Sequence, residues 1–546
     1  SINRNEDPFD SFQEKVLNVE HVKKQNYVEI RNCDLKTGTY CITKPGYYKL
    51  IEDIVFSPFT DKDLENIQDF NKIPQRSDKY KNNPAFQLGF FAAFTIETKN
   101  VVFDLNGKTI SQSEFHHKLQ RFYAHIELAN APFIKDQGPA KFGGLTGVAE
   151  NVLIMNGLLG LSSHHGIHGN NNNNILLRNI SFFDFEVGAV ALNGATNVYI
   201  KDCHVLHVLK NLMTNHKLSH VLFIMKHLEL IMHRDKDLFI KINDKEMTAK
   251  KLLHDIDAEL RRLLNDPAYD GIFKNRSGLS DGNCYGMVFN SKGFVINEFK
   301  HLRDDSTIGN ENIILEGIEI HHIVSKPSEV IGLNSDDTEE PEEVYTRGQF
   351  VGPVGDMFSY DNCIHHNGLY KSNIITNAQL FVQKHATTRA EKGTVNISKK
   401  LVEWAEMNQK ELTQVMRDNN MYKVSGKDSM AHKMKGNIGL FISSGEHIRI
   451  YNTLIDGVEV KGNLVGSDRK LFNVGDKKEM KGAISYGIVV TGSNDVEIKN
   501  VNIKNVESTY ESVGLLIKSS TNIGNEGLTI TNIDSNGTQG KLIFQE

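Results

Sequence analysis

The sequence predicts an all-β solenoid, and three observations carry that expectation. A five-residue phrase recurs in the order apolar, any, apolar, any, Asn or Asp. Val198-Tyr199-Ile200-Lys201-Asp202, Ile448-Arg449-Ile450-Tyr451-Asn452 and Val496-Glu497-Ile498-Lys499-Asn500 follow it, as do 152–156, 175–179 and 528–532. The anchors Val152, Ile175 and Val198 fall 23 residues apart, a spacing typical of stacked repeats. A glycine opens a second apolar run about nine residues before an anchor, as with Gly166, Gly188, Gly439 and Gly487 ahead of Ile175, Val198, Ile448 and Val496.

Each unit therefore holds at least two short strands. Alternation sends Val496 and Ile498 inward and Glu497 and Lys499 to the outside. Two such strands cannot bury a face alone. Stacking units at roughly 4.8 Å pairs every strand above and below. The recurrent Asn or Asp then sits at a bend. Asn tolerates the left-handed backbone there, and its amide can bond the next unit to form a ladder.

The elements follow in order. Residues 1–97 read as an N-terminal region and cap, with a first strand at 46–50. The solenoid proper is expected over 98–535, opening with Val101-Val102-Phe103. Within it, 206–267 reads as a helical insertion, because Leu252, Ile256, Leu260 and Leu264 recur at helical spacing and Pro267 ends the segment. Coils resume at 286–289, 294–296 and 313–315. A second helical insertion is expected over 396–418 behind Ser398, and 536–546 is left as a tail.

Composition narrows the function classes. The chain has 546 residues, 62 Lys and Arg against 68 Asp and Glu, and a net charge of −6. No basic block stands out, so nucleic acid is not expected as a partner. The longest apolar run, 89–96, is too short to span a bilayer. The polar start shows no secretory leader, which points to the cytoplasm or to a virion or surface assembly. Of five cysteines, Cys33 and Cys41 are near enough in sequence to pair, and the usage fits free or buried thiols.

The anchors, the Asn or Asp after them and the glycines before them resemble the right-handed parallel β-helix of the pectin-lyase-like superfamily, here with α-helical insertions. The resemblance covers roughly 98–205, 283–325 and 436–535. Members of that superfamily cleave, epimerise or bind polysaccharides, and others are tailspikes or viral surface parts. The chain also resembles β-helix proteins of large DNA viruses and protists. The resemblance implies a polysaccharide or glycan as partner. Homo-oligomers or larger assemblies also fit. Fold alone does not choose among these roles.

Several constellations can carry chemistry. In Ser163-His164-His165-Gly166-Ile167-His168-Gly169, imidazoles near neutral pH can move protons or bind a metal. His165 and His168 are the candidate proton carriers. Gly166-Ile167-His168-Gly169 is similar to a polygalacturonase segment, but that family has its carboxylates earlier in the chain. The comparable stretch here, at 334–337, comes later, which argues against a plain polygalacturonase. The run 334–343 (NSDDTEEPEE) offers paired carboxylates for glycoside hydrolysis or oxygen ligands for calcium, with Asp336 and Asp337 as metal candidates. Asp356 and Asp361 are candidate acids beside His365 and His366. Tyr199 and Tyr451 fall at outward positions and are candidate sugar platforms, and His321-His322 is a further histidine pair. Against each of these stands a plainer reading, a polar turn, a solvated loop or a packing aromatic. Two functions stay open: a polysaccharide lyase, hydrolase or epimerase, and a non-catalytic structural or adhesive component.

Overall fold

The computed structural model describes residues 26–58 (except 37), 90–113, 116–117, 122–128, 148–209, 225, 228, 232, 238–264 (except 243), 284–290, 309–325, 374, 377–378, 381, 436–460, 484–508 and 511–545. One turn of the coil runs through His165–Asn170 and then the long strand Asn173–Phe185, which bends at Asn179. The next turn runs through Gly188–Asn193, Thr196–Lys201 and His204–Leu209. Parallel pairing superimposes the turns, with Ile167 on Val190, Ile175 on Val198 and Phe182 on Val205. The first segments of all turns form a 10-stranded parallel sheet. The other two segments form a 16-stranded sheet that folds along its corners into a second and a third face. The molecule is a parallel β-helix.

The phrase anchors form one interior row. Val101, Val152, Ile175, Val198, Ile313, Ile448, Val496 and Ile523 pair in succession, and those from Val101 to Val496 are buried. The anticipated bends are left-handed, with φ from 48 to 60° at Asn156, Asn179, Asp202, Asn452 and Asn500. Their amides form the expected ladder: Asn179 donates to Asn156 at 3.0 Å and Asn500 to Asn452 at 3.3 Å. A second amide ladder, not anticipated, precedes the anchors through Asn100, Asn151 and Asn174, with bonds of 3.0 and 2.7 Å. Glycine is required where the first sheet bends inward. A Cβ at Gly439 would lie 2.6 Å from the carbonyl oxygen of Gly487, and one at Gly487 would lie 2.5 Å from that of Gly514.

Several boundaries move. The coil begins well before residue 98, because Val28–Ile30 pairs with Gly46–Leu50, Gly46–Leu50 with Lys99–Asp104, and Tyr40–Ile42 with Phe90–Ile96. It also includes part of the supposed tail, since Lys541–Gln545 pairs with Glu511–Lys518. Residues 206–209 belong to a coil strand rather than to the insertion. The insertion carries a hairpin, Phe239–Ile242 with Lys245–Thr248, and the helix Ala249–Leu264, in which Leu252 and Ile256 are buried. The Thr248 hydroxyl caps that helix by accepting from the Lys251 amide at 3.2 Å. Leu528 is not an anchor. Its neighbour Thr529 pairs with Asn502 on the third face, and Ile523 takes the anchor row. Gly188 pairs with His165 rather than with Gly166. The segments 294–296 and 396–418 lie outside the described residues.

Two outer faces carry buried apolar rows. On the second face Leu153, Leu176, Tyr199 and Ile314 form a buried outward row. On the first sheet Ala191, Val288, Phe441, Val489 and Leu516 form another. Cys33, Cys41, Cys203 and Cys284 form no disulfide with one another, and burial pushes the Cys203 thiol up to about 12. Among the described residues no helix is long and apolar enough to cross a membrane.

Candidate active site

The first sheet changes character at its early coils. The outward row that is apolar from Ala191 onward is occupied by Thr95, Glu127 and His168 in the coils before it. Strand geometry dictates this placement. Ile126 and Leu128 point into the core on either side of Glu127, and Ile167 does so beside His168. Glu127 is fully buried, and both its carboxylate oxygens lie within hydrogen-bond distance of His168 Nδ1, at 2.8 and 2.9 Å. Burial raises the Glu127 pKa, and the neighbouring His168 opposes that rise. With Nδ1–H donating to Glu127, Nε2 is the proton-accepting atom of a neutral His168.

His165 packs flat against this pair. Its ring is stacked on His168, with centroids 5.1 Å apart and planes 7° from parallel, and the His164 ring meets it edge-on at 4.1 Å. Burial, with His164 and His168 alongside, holds the His165 pKa well below the ordinary imidazole value, against the Gly188 backbone. Burial thus favours the neutral form of His165, whose ring supports that of His168 by stacking.

A second polar group lies in the same coils. The inward row that holds Gly166, Ala189, Gly286 and Gly439 is occupied one coil earlier by His125, which follows Ala124 and precedes Ile126. The Tyr123 hydroxyl bonds His125 Nδ1 at 3.0 Å, and burial lowers the His125 pKa to about 3. Close by, the Gln112 side-chain amide bonds His116 Nδ1 at 2.8 Å, while its oxygen accepts from the Ser163 amide at 2.9 Å. His117 Nε2 lies 3.3 Å from the Glu186 carboxylate, both nearly excluded from water. Such groups cost free energy to bury unless paired. These bonds offset part of that cost.

The structure thus brings His165 and His168 together and supplies the unanticipated partner Glu127. The one visible sign of Glu127 was a charged residue at an alternating position inside the apolar strand Phe122–Leu128. His116, His117, His125 and Glu186 were also missed, for no spacing links them. Asp336, Asp337, Asp356 and Asp361 lie outside the described residues. Among the described residues no cluster of three or more His, Cys, Asp or Glu side chains is arranged to hold a metal.

Of the two candidate sugar platforms, Tyr199 is sealed and needs correction. Tyr199 does point outward, but its ring is buried among Leu176 and Ile314 and its hydroxyl donates to Glu316. Tyr451 is half-buried, and its hydroxyl donates to Glu497 at 2.6 Å. Glu497 in turn faces Arg449 at 3.4 Å. Both tyrosines cross-link neighbouring coils.

No family model matches the chain, and no curated protein matches it. Among solved structures it is similar to a hyperthermoactive exopolygalacturonase of Thermotoga maritima, with 8% identity, 98% of this chain and 99% of that one covered, and a TM-score of 0.29. It is also similar to the A-module of a mannuronan C-5 epimerase of Azotobacter vinelandii, at 8% identity, 92% and 86% coverage and a TM-score of 0.25. A third is a surface protein and adhesin of Streptococcus pneumoniae, at 10% identity, 84% and 90% coverage and a TM-score of 0.21. Likenesses this weak carry no residue and no activity across.

Proposed function

We propose that the protein acts on a polysaccharide by proton transfer, with His168 as the proton carrier and Glu127 as the carboxylate that orients it. One observation supports this above the rest. The row holding the pair is apolar in the later coils, from Ala191 to Leu516. Folding of the solenoid therefore needs no charged or polar group there, and a buried carboxylate is costly to keep. A pair retained against that cost is a functional candidate. Glu127 fixes the imidazole tautomer and steadies the charge that appears when Nε2 takes a proton. Proton abstraction beside a carboxyl group and general-base activation of water both need this unit, so lyase, epimerase and hydrolase chemistries all fit.

The test is a panel of polysaccharides assayed for new reducing ends and for unsaturated uronates. Turnover that falls at least a hundredfold in His168→Ala, and shifts its pH profile in Glu127→Gln, is the expected result. Turnover unchanged in both variants overturns the assignment. A non-catalytic adhesive or structural role is the second reading. It is favoured by Tyr199 and Tyr451, whose hydroxyls are spent on internal carboxylates. No turnover on any polysaccharide of the panel would select it.

A further inference from the structure

The outward rows of the third face carry polar and titratable groups that reach water. Ser181, His204 and Glu319 pair in one row, and His321, Asp456 and Lys504 pair in the next. Their side chains from His204 to Lys504 are between 18 and 46% exposed. The groups are fixed by one another. The Glu319 carboxylate faces His321 Nε2 at 2.9 Å and His204 Nδ1 at 3.6 Å. Asp456 accepts from Asn505 at 2.7 Å and faces Lys504 at 3.1 Å. The His321 bond holds the Glu319 pKa low. Burial works against Asp456, but the bonds from Asn505 and Lys504 prevail and hold it low too. Both are carboxylates at neutral pH.

At the early end of the same face lies an aromatic ring. Phe182 points into the core, so Phe183 points out. Its ring lies back across the neighbouring strand at Gly160, where a Cβ would sit 2.0 Å from the ring's Cζ. Only glycine lets the ring lie flat there, and glycine inside a strand weakens it. The ring is half-buried, and Leu206, 40% exposed, extends the apolar patch on the next strand. From the strand of Phe183 to that of Asp456 is three strand spacings, about 14 Å.

We propose that this face is a binding strip for a neutral oligosaccharide, in which Phe183 stacks against a sugar ring and Glu319 and Asp456 accept hydrogen bonds from hydroxyls further along. Two fixed carboxylates suit hydroxyl donors, each offering several acceptor sites. Lys504 is already engaged by Asp456, so the strip offers a uronate carboxylate no unpaired lysine and favours neutral chains over acidic ones. The strip lies on a different sheet from His168 and Glu127 and its readout is binding, so it neither rests on the proton-transfer assignment nor falls with it.

The experiment is calorimetric titration of the full chain with neutral oligosaccharides (gluco-, xylo- and manno-oligomers) and with oligogalacturonate and oligomannuronate, at one salt concentration. Binding of at least one neutral series is expected, with no binding of either uronate series. Phe183→Ala should weaken it at least tenfold, and Glu319→Gln with Asp456→Asn a further several-fold. Phe183→Leu keeps the apolar volume but lacks the flat ring, so it should bind as weakly as Phe183→Ala while melting close to the parent. Binding of uronates in preference to neutral chains, neutral binding unchanged in these variants, or no neutral binding at all would each overturn the proposal.

Discussion

Replacing His125 by alanine should make the protein less sensitive to acid. His125 is fully buried, and its pKa of about 3 arises first from desolvation, with the Gly160 backbone opposing and His117 adding to the depression. In the unfolded chain an imidazole titrates near 6.5, so between about 6.5 and 3 the unfolded state binds a proton that the folded state does not. Stability must fall as pH falls through that window, by about 1.36 kcal/mol per unit for this one group. From pH 7.5 to 5 the loss is about 2 kcal/mol, a large part of a typical domain's margin of roughly 5–15 kcal/mol. His116 and His165 are depressed in the same direction and add to the slope. Alanine already serves at the matching position in other coils, at Ala93 and Ala189, so the backbone accepts it. Removal of the ring leaves a cavity and deprives the Tyr123 hydroxyl of its partner, a cost that does not vary between pH 7.5 and 5. The measurement is the denaturant midpoint of parent and His125→Ala at pH 7.5, 6.5, 5.5 and 5.0. The stability gap between them should close by about 2 kcal/mol between pH 7.5 and 5. A gap that stays constant over that range would mean that His125 is not buried as a neutral ring, and the reasoning fails.

Three further substitutions probe the frame. Asn179→Ala should cost about 1–2 kcal/mol in thermal or chemical denaturation, because it puts a Cβ-bearing residue without a side-chain hydrogen bond at φ 52° and cuts the bond to Asn156. Asn179→Gly should recover much of that loss, since glycine accepts the angle. Ile450→Ala, in the core between Leu315 and Ile498, should cost about 2–5 kcal/mol by calorimetry or denaturant titration. Tyr199→Phe should lower stability by about 1–2 kcal/mol, since Glu316 loses a donor. It should leave the affinity for any glycan unchanged in the titrations described above.

The repeat was legible because its signal is local. Val198 and Ile200 alternate with Tyr199 and Lys201 whatever the coil's neighbours do, and Asn179 or Asn500 marks the bend by its own backbone tolerance. Alternation reports which side of a strand a residue occupies. It does not report whether that side meets water, which is why Tyr199 reads as a sugar platform and is in fact sealed. The site was half legible. His165 and His168 share one strand and are visible together. Glu127 comes from the preceding coil, 41 residues earlier, beyond the 23-residue spacing that links Val152 to Ile175. His125 was hidden for a related reason. The inward row is recognised by its glycines, and the coil that breaks the rule carries no glycine to mark the position. The early strands at 28–30 and 40–42 escaped because three-residue segments are too short to show a period.

In a solenoid each coil packs only on its neighbours, so the cost of an unusual coil stays where it arises. This sets a gradient along the protein. The strands Ile484–Thr491 and Glu511–Lys518 seal their interior with Ile488, Val490, Leu515 and Ile517. The strands Phe122–Leu128 and His165–Asn170 instead enclose or carry His125, Glu127, His165 and His168 beside Gln112, His116 and Tyr123. Acid favours protonation of the buried imidazoles, so local opening should be easiest in these early coils and should become easier still as pH drops below about 6.5. Hydrogen exchange followed by peptide-level mass spectrometry tests this directly. After correction for the intrinsic effect of pH on exchange, protection of 122–128 and 165–170 should fall between pH 7 and 5, while that of 484–491 and 511–518 should hold. Equal losses in both regions would show that the coils open as one cooperative unit. The polar coils would then draw on the stability of the whole array, and the argument that their burial cost is borne locally would be wrong.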